Sequence, residues 1–314
     1  MAGGSGGALA AQCSLGGGFG FIAAGYDDPD ALASEIGLAR TQLGLSADQP
    51  VPVGVGFFGW KLDKSPAEGE AQLRTALQNR VRAIWLAFGS DLGRWVAFVR
   101  AYDQANHART IIFIQTSSPD EAYTALNDWG VDFVVAQGIE AGGHGPAAAP
   151  PVLTLIEKMR TRCGPEAPIL AAGGIVTGAQ VADVLAKGAC GAVLGTRFLV
   201  SPESLYSNKQ RDALIRAASE DTVRSKGFDA ARGTLDWPAG IDGRGLRNKT
   251  IEDYENGVSM PDLQKEYRAA AVEGDTSRII VWAGSGVGHL RTIQPAKEIM
   301  INIREEYARY HESA

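Results

Sequence analysis

Little in the sequence marks it for a membrane, a metal or a disulfide framework. Three cysteines in 314 residues, Cys13, Cys163 and Cys190, form neither a ligand spacing nor an even set of bridges, and they fit a reducing compartment as buried small residues. No apolar run approaches the roughly 18 residues of a spanning helix. The start lacks the basic segment and cleavage pattern of a secretory signal, and the last residues, HESA, carry no familiar address. A soluble, cytoplasmic protein is expected. Positive charge is in deficit, with 30 Lys and Arg against 36 Asp and Glu and a net charge of −6, which argues against nucleic acid or an anionic lipid surface as a partner. There is no histidine pair at helical spacing and no carboxylate-rich loop, so no metal is expected. The G-x-S-x-G elbow of serine hydrolases is also missing.

Glycine, at 39 residues, is what the chain has in abundance, mostly just after apolar runs. From residue 19 to 200 one unit recurs: a short apolar run, a glycine or polar turn, then an amphipathic stretch. The runs lie at 19–25, 51–59, 83–89, 110–117, 131–138, 168–175 and 191–198. Runs of this kind without alternation predict strands buried on both faces, and their alternation with helical stretches predicts βα units in a parallel sheet. Ser117 and Ser118 before Pro119 predict one helix start, Gly130 the end of that helix, and Thr177 the cap of another that stops at Gly188. Seven strands follow a helical stretch at 5–15. The expected fold is a TIM-type (βα)8 barrel lacking its first strand; a doubly wound open sheet is the alternative. Residues 1–200 and 279–314 would form the barrel, and residues 201–278, helical and loop-rich, a cover over one end.

The ends of the last two strands carry the chemistry. ILAAGGI places Gly173 and Gly174 at one strand end, and AVLGTRF places Gly195 and Thr196 at the next. Loops at these positions of a barrel commonly bind phosphate, through bare amides and a helix N-terminus. Arg197 falls on the opposite side of its strand from Thr196 and is not expected to be a ligand. The fragments GGSGG (3–7) and GSGVGH (284–289) are weak phosphate-loop patterns, since neither completes a dinucleotide fingerprint. His144, in QGIEAGGHGP just beyond the strand at 131–138, is the candidate proton-transfer residue. Gln137 can hydrogen-bond a planar heterocycle; Glu140 either orients a loop amide or stays solvated. His107, His289 and His311 read as ordinary histidines, His289 with some prospect of facing the site. A phosphate cradle beside one proton acceptor points to a phosphorylated cofactor, with flavin mononucleotide (FMN) the natural candidate.

The stretches MAGGS, AQGIEAGGHG, ILAAGGI, GAVLGTRFLVSPES, RGLRN and WAGSGVG, in order over nearly the whole chain, resemble the nitronate monooxygenases, formerly 2-nitropropane dioxygenases. The resemblance implies an FMN-bearing eight-fold barrel that oxidises alkyl nitronates, and neutral nitroalkanes, with O2. It implies flavin contacts from Met1, Ala2, Gly3, Gln137, Gly142 and Gly143, phosphate contacts from Gly173, Gly174, Gly195 and Thr196, and a catalytic role for His144. Two departures stand out. Some members carry Gln before the Gly-Thr pair, where this chain has Leu194. Members also open with an apolar strand ahead of the Met that is Met1 here. The expectation is that the sequence continues upstream, or that a shortened form binds flavin weakly. Enzymes on the same scaffold reduce quinones or enoyl thioesters with NAD(P)H, which makes that activity, or a non-catalytic variant, the competing expectation.

Overall fold

The computed structural model describes residues 1 and 3–312. Ala2 and the side chain of His311 lie outside the described residues. Ten strands run in chain order: β1 (Gly20–Ala23), β2 (Val51–Phe58), β3 (Val81–Ala87), β4 (Ile111–Thr116), β5 (Phe133–Gln137), β6 (Gly143–Pro146), β7 (Ile169–Ala172), β8 (Gly191–Val193), β9 (Thr222–Ser225) and β10 (Ile241–Leu246). Seven of them form one all-parallel sheet in the order β1-β2-β3-β4-β5-β7-β8. The fold is an α/β barrel short of one strand: β1 and β8 are the ends of the sheet, where a closed barrel would seat an eighth strand between them.

The unbroken apolar runs of the sequence follow from burial on both faces of this sheet. Outward-facing Val53, Val55, Ile84, Leu86, Ile112, Ile114, Val134 and Ile169 pack under the surrounding helices in the main core. Inward-facing residues fill the interior with aromatic rings. Phe21 meets Trp85 and Phe113 edge-on at 5.1 and 5.3 Å, and Phe113 stacks on Phe133 at 5.1 Å. Each large apolar side chain taken fully from water contributes about 1.5–3 kcal/mol, so both faces favour the same strands. A further cluster bridges the ends of the sheet: Leu9 and Cys13 of the helix Gly7–Leu15 pack with Ile299 and Ile303 of the helix Ala296–Glu312, against Phe198 and Leu194.

Helix ends follow the local signals. Ser118 accepts from the Glu121 amide at the start of Pro119–Asn127, and Gly130 beyond it stands at φ 64°. Thr177 forms a reciprocal capping box with Gln180. Within the helical and loop-rich segment 201–278, the stretch 228–250 is more ordered than its glycine-rich composition suggests. It contributes β10, which pairs antiparallel with β6 and β9 in a second, three-stranded sheet. His144 lies opposite Gly243 in this sheet. β6 and β10 are short and glycine-rich, and their pairing joins residues about a hundred positions apart, so no local periodicity announces them. Among the described residues no helix is long and apolar enough to cross a membrane.

Candidate active site

All seven strands of the large sheet end on the same side, which brings the loops after β5, β7 and β8 to one rim. There they enclose a cavity of about 690 Å³, within the ~300–1,000 Å³ of ligand pockets. Met1, Gln137, Gly142, Gly143, His144, Gly173, Gly174, Gly195 and Thr196 all line it. Gly3 stands beside it at φ 72°, one residue before Gly4, which does line the cavity. Arg197 is not in the lining and donates to Gln294 at 2.8 Å. His289 is not in the lining either.

The glycines are required by backbone geometry. Gly173 has φ 118° and Gly174 φ 72°, angles that L side chains rarely adopt. At Gly142 an added Cβ would lie 2.4 Å from the Gly284 amide nitrogen. Among the described residues the amides of Gly173, Gly174, Gly195 and Thr196 have no hydrogen-bond acceptor in the protein. Unpartnered main-chain donors are rare in folded proteins, and a set of them on one wall suits an anion. The Thr196 hydroxyl accepts from the Gly284 amide at 2.9 Å, which leaves its own proton free to donate. The segment Gly284–Gly286, weak as a motif, therefore backs this wall directly.

The helix Gly178–Ala186 contributes less than its position suggests. Its entry amides are already taken: Val176 and Thr177 donate to Gln180 Oε1, Gln180 to Thr177 Oγ1, and Gly178 to Glu306 Oε2 at 2.8 Å. The free donors are those of the glycine turns and of Thr196, which opens the short helix Thr196–Leu199 behind its N-cap Gly195.

His144 is clamped from several sides. Its Nε2 lies 3.0 Å from both carboxylate oxygens of Asp229, with the two side chains only 9% and 7% exposed. Thr234 Oγ1 donates to Asp229 Oδ1 at 2.9 Å. The Trp237 indole stacks on the imidazole at 3.6 Å and 11°, and Trp282 stands at 5.0 Å. Gln137 Nε2 donates to the His144 carbonyl at 2.8 Å, so part of the amide expected to meet a heterocycle holds the β6 backbone instead. Glu140 resolves toward orientation: its carboxylate accepts from the Val152 amide at 3.0 and 3.1 Å, at the start of the helix Val152–Cys163. Beneath β6, Arg224 pairs with Asp242 and donates to the Gly145 carbonyl. Arg244 donates to the Ile139 carbonyl; burial first, then the neighbouring Arg224, push its guanidinium below the ordinary range.

The rest of the wall is apolar and aromatic, and Tyr26, Phe58, Phe88 and Trp237 form one cluster of rings in it. Arg232 is the one cationic side chain in the lining among the described residues and lies 5.8 Å over the Tyr26 ring. Sequence reasoning named none of Asp229, Arg232 and Trp237, and touched Trp282 only as the first residue of WAGSGVG. They come from the segments after residue 200, and nothing in their local sequence ties them to His144, 85 positions from Asp229.

The family model for nitronate monooxygenase matches residues 1–306. The chain belongs to the nitronate monooxygenase family. It is 31% identical to the nitronate monooxygenase of Neurospora crassa over 96% of this chain and 85% of that protein. It is also 31% identical to nitronate monooxygenase npaC of Metarhizium robertsii, over 95% and 86%. Among solved structures, nitroalkane oxidase from Streptomyces ansochromogenes superposes with a TM-score of 0.79 at 28% identity, covering 100% of this chain and 95% of that one. FabK from Thermotoga maritima gives a TM-score of 0.77 at 26% identity, covering 100% and 92%. This member of the family thus shares its scaffold with proteins of more than one name.

Proposed function

We propose that this member of the family oxidises alkyl nitronates, and neutral nitroalkanes, with O2 in an FMN-dependent reaction centred on His144. The observation that carries the reading is the set of unpartnered amides of Gly173, Gly174, Gly195 and Thr196 on the wall of the same cavity that His144 enters. These residues would hold the cofactor phosphate, and the positive φ of Gly173 and Gly174 keeps side chains out of that space. Gln137, Gly142 and Gly143 would meet the flavin ring, with Met1, Ala2 and Gly3 on the loop beneath it. Residues 1–200 and 279–314 would form the cofactor-bearing unit, and 201–278 its cover.

Bound FMN supplies electron transfer from the nitronate to O2. The chain positions the substrate and moves one proton. From a neutral nitroalkane His144 accepts the α-proton: the C–H bond breaks, its electron pair delocalises into the nitro group, and the imidazole becomes cationic. A preformed nitronate has already lost that proton and needs only to be oriented. The aromatic wall excludes water, which strengthens every charge interaction inside it. Arg232, the one cationic side chain in the lining among the described residues, favours an anionic substrate.

His144→Asn tests the role of the imidazole. Turnover of neutral nitroalkanes should fall by about 10²–10⁴-fold, the usual contribution of a general base, while nitronates are affected much less. Equal losses on the two substrate forms would remove the base assignment. A second reading, reduction of an electron-poor alkene or quinone by NAD(P)H, is favoured by the TM-score of 0.77 to FabK, which nearly equals the 0.79 to nitroalkane oxidase. Steady-state reduction of such acceptors by NADPH, with no nitronate-dependent oxygen uptake, would replace the first reading with the second.

A further inference from the structure

We infer that Asp229 is the positioning residue of His144: its carboxylate fixes the imidazole as the Nε2–H tautomer and so makes Nδ1 the atom that takes the substrate's α-proton. This rests on the proposed nitronate chemistry for its consequence, but the tautomer itself does not.

The geometry points one way. Both oxygens of Asp229 lie at 3.0 Å from Nε2, so the carboxylate is centred on that nitrogen. An ionised carboxylate accepts hydrogen bonds and donates none, so Nε2 must carry a proton to meet it. A neutral imidazole with Nε2 protonated has its lone pair on Nδ1, and among the described residues Nδ1 has no partner. Asp229 is itself held: Thr234 Oγ1 donates to Oδ1 at 2.9 Å, and the Thr234 amide donates to the Asp229 carbonyl. The ring cannot readily turn to exchange its nitrogens. Trp237 stacks on one face at 3.6 Å, and the backbone of His144 is paired to Gly243 across the small sheet. Both members of the pair are almost wholly removed from solvent. When the C–H bond of a nitroalkane breaks and the proton moves to Nδ1, the imidazolium forms against a buried carboxylate, where its charge is compensated. The same division of roles, with the two ring nitrogens exchanged, serves serine proteases, where the acid holds the tautomer and does not take the proton.

Asp229 lies on the helix Gly227–Arg232, far from β6 in the chain. The segment after residue 200 therefore does more than cover the cavity. It supplies the group that decides which nitrogen of His144 is basic.

The test is nitrogen NMR of the protein with 15N-labelled histidine, the His144 signals being identified by their loss in His144→Asn. In the parent chain, at a pH where the ring is neutral, His144 should show a pyrrole-type Nε2 and a pyridine-type Nδ1. In Asp229→Asn, whose side-chain amide can donate to Nε2, the pattern should shift toward Nδ1–H. Kinetically, kcat on neutral nitroalkanes should fall about 10²–10⁴-fold in Asp229→Asn, with KM little changed and with nitronate turnover spared. An Nδ1–H tautomer in the parent protein overturns the inference, and that measurement needs no folded variant at position 229. Equal losses on both substrate forms in Asp229→Asn also overturn it. A parent chain that oxidises neither substrate would count against the nitronate reading alone, while the tautomer would still decide the role of Asp229.

Discussion

Gly173 stands at φ 118°, and an added Cβ there would come within 3.1 Å of the Ala141 amide and 3.3 Å of the Gly138 carbonyl. A side chain at this position forces the turn after β7 to change, and with it the direction of the free amides. Strain of this kind costs about 1–3 kcal/mol. For Gly173→Leu we expect FMN to bind about 5- to 150-fold more weakly by flavin fluorescence titration, with the far-UV circular dichroism unchanged. Unaltered affinity would remove Gly173 from the cofactor wall. At this scale the sequence is informative wherever a residue is special by itself: paired glycines at strand ends, and a histidine just beyond another pair. It is silent where function comes from a meeting of distant side chains. Asp229 reads as one more acid in a short helix, and Trp237 as an aromatic in a turn; only folding brings both against His144.

Elements were legible to the extent that their ends carry local chemistry. Thr177 and Gln180 satisfy three amides between them at the start of Gly178–Ala186, and that box turns the chain out of the Gly173–Gly174 loop. Thr177→Ala should cost about 0.5–2 kcal/mol of unfolding free energy, read from urea denaturation, and should weaken FMN binding through the loop it anchors. A stability equal to that of the parent would show the box to be dispensable. The buried parallel strands were equally legible, because apolar runs such as VVA in β5 and ILAA in β7 have core on both sides. The small sheet was not. GHGP in β6 and IDGRGL in β10 have neither alternation nor β-branched runs, and they become strands because each finds the other. That pairing sets the backbone of His144, so the element least visible in the sequence is the one that aims the candidate base.

At the scale of the whole molecule, the sheet of seven parallel strands is curled so that its ends approach without pairing. Helices at the two ends of the chain pack across that place through Leu9, Cys13, Ile299 and Ile303. The shared polarity of the strands was readable from the recurring βα unit; their order was not settled by it, since a doubly wound open sheet is built from the same unit. The cavity was not readable, because its walls are drawn from segments throughout the chain, and its aromatic side comes partly from the end of β2 and the loops after β1 and β3. The central claim is that one cavity holds both the anion-binding glycine turns and His144, and that an alkyl nitronate is oxidised there with FMN bound. The most direct measurement is the visible absorption of the FMN-reconstituted protein, under anaerobic conditions, as an alkyl nitronate is added. The account predicts that the nitronate bleaches the flavin band and that admitting O2 restores it. A band unmoved by nitronate but bleached by NADPH would contradict it.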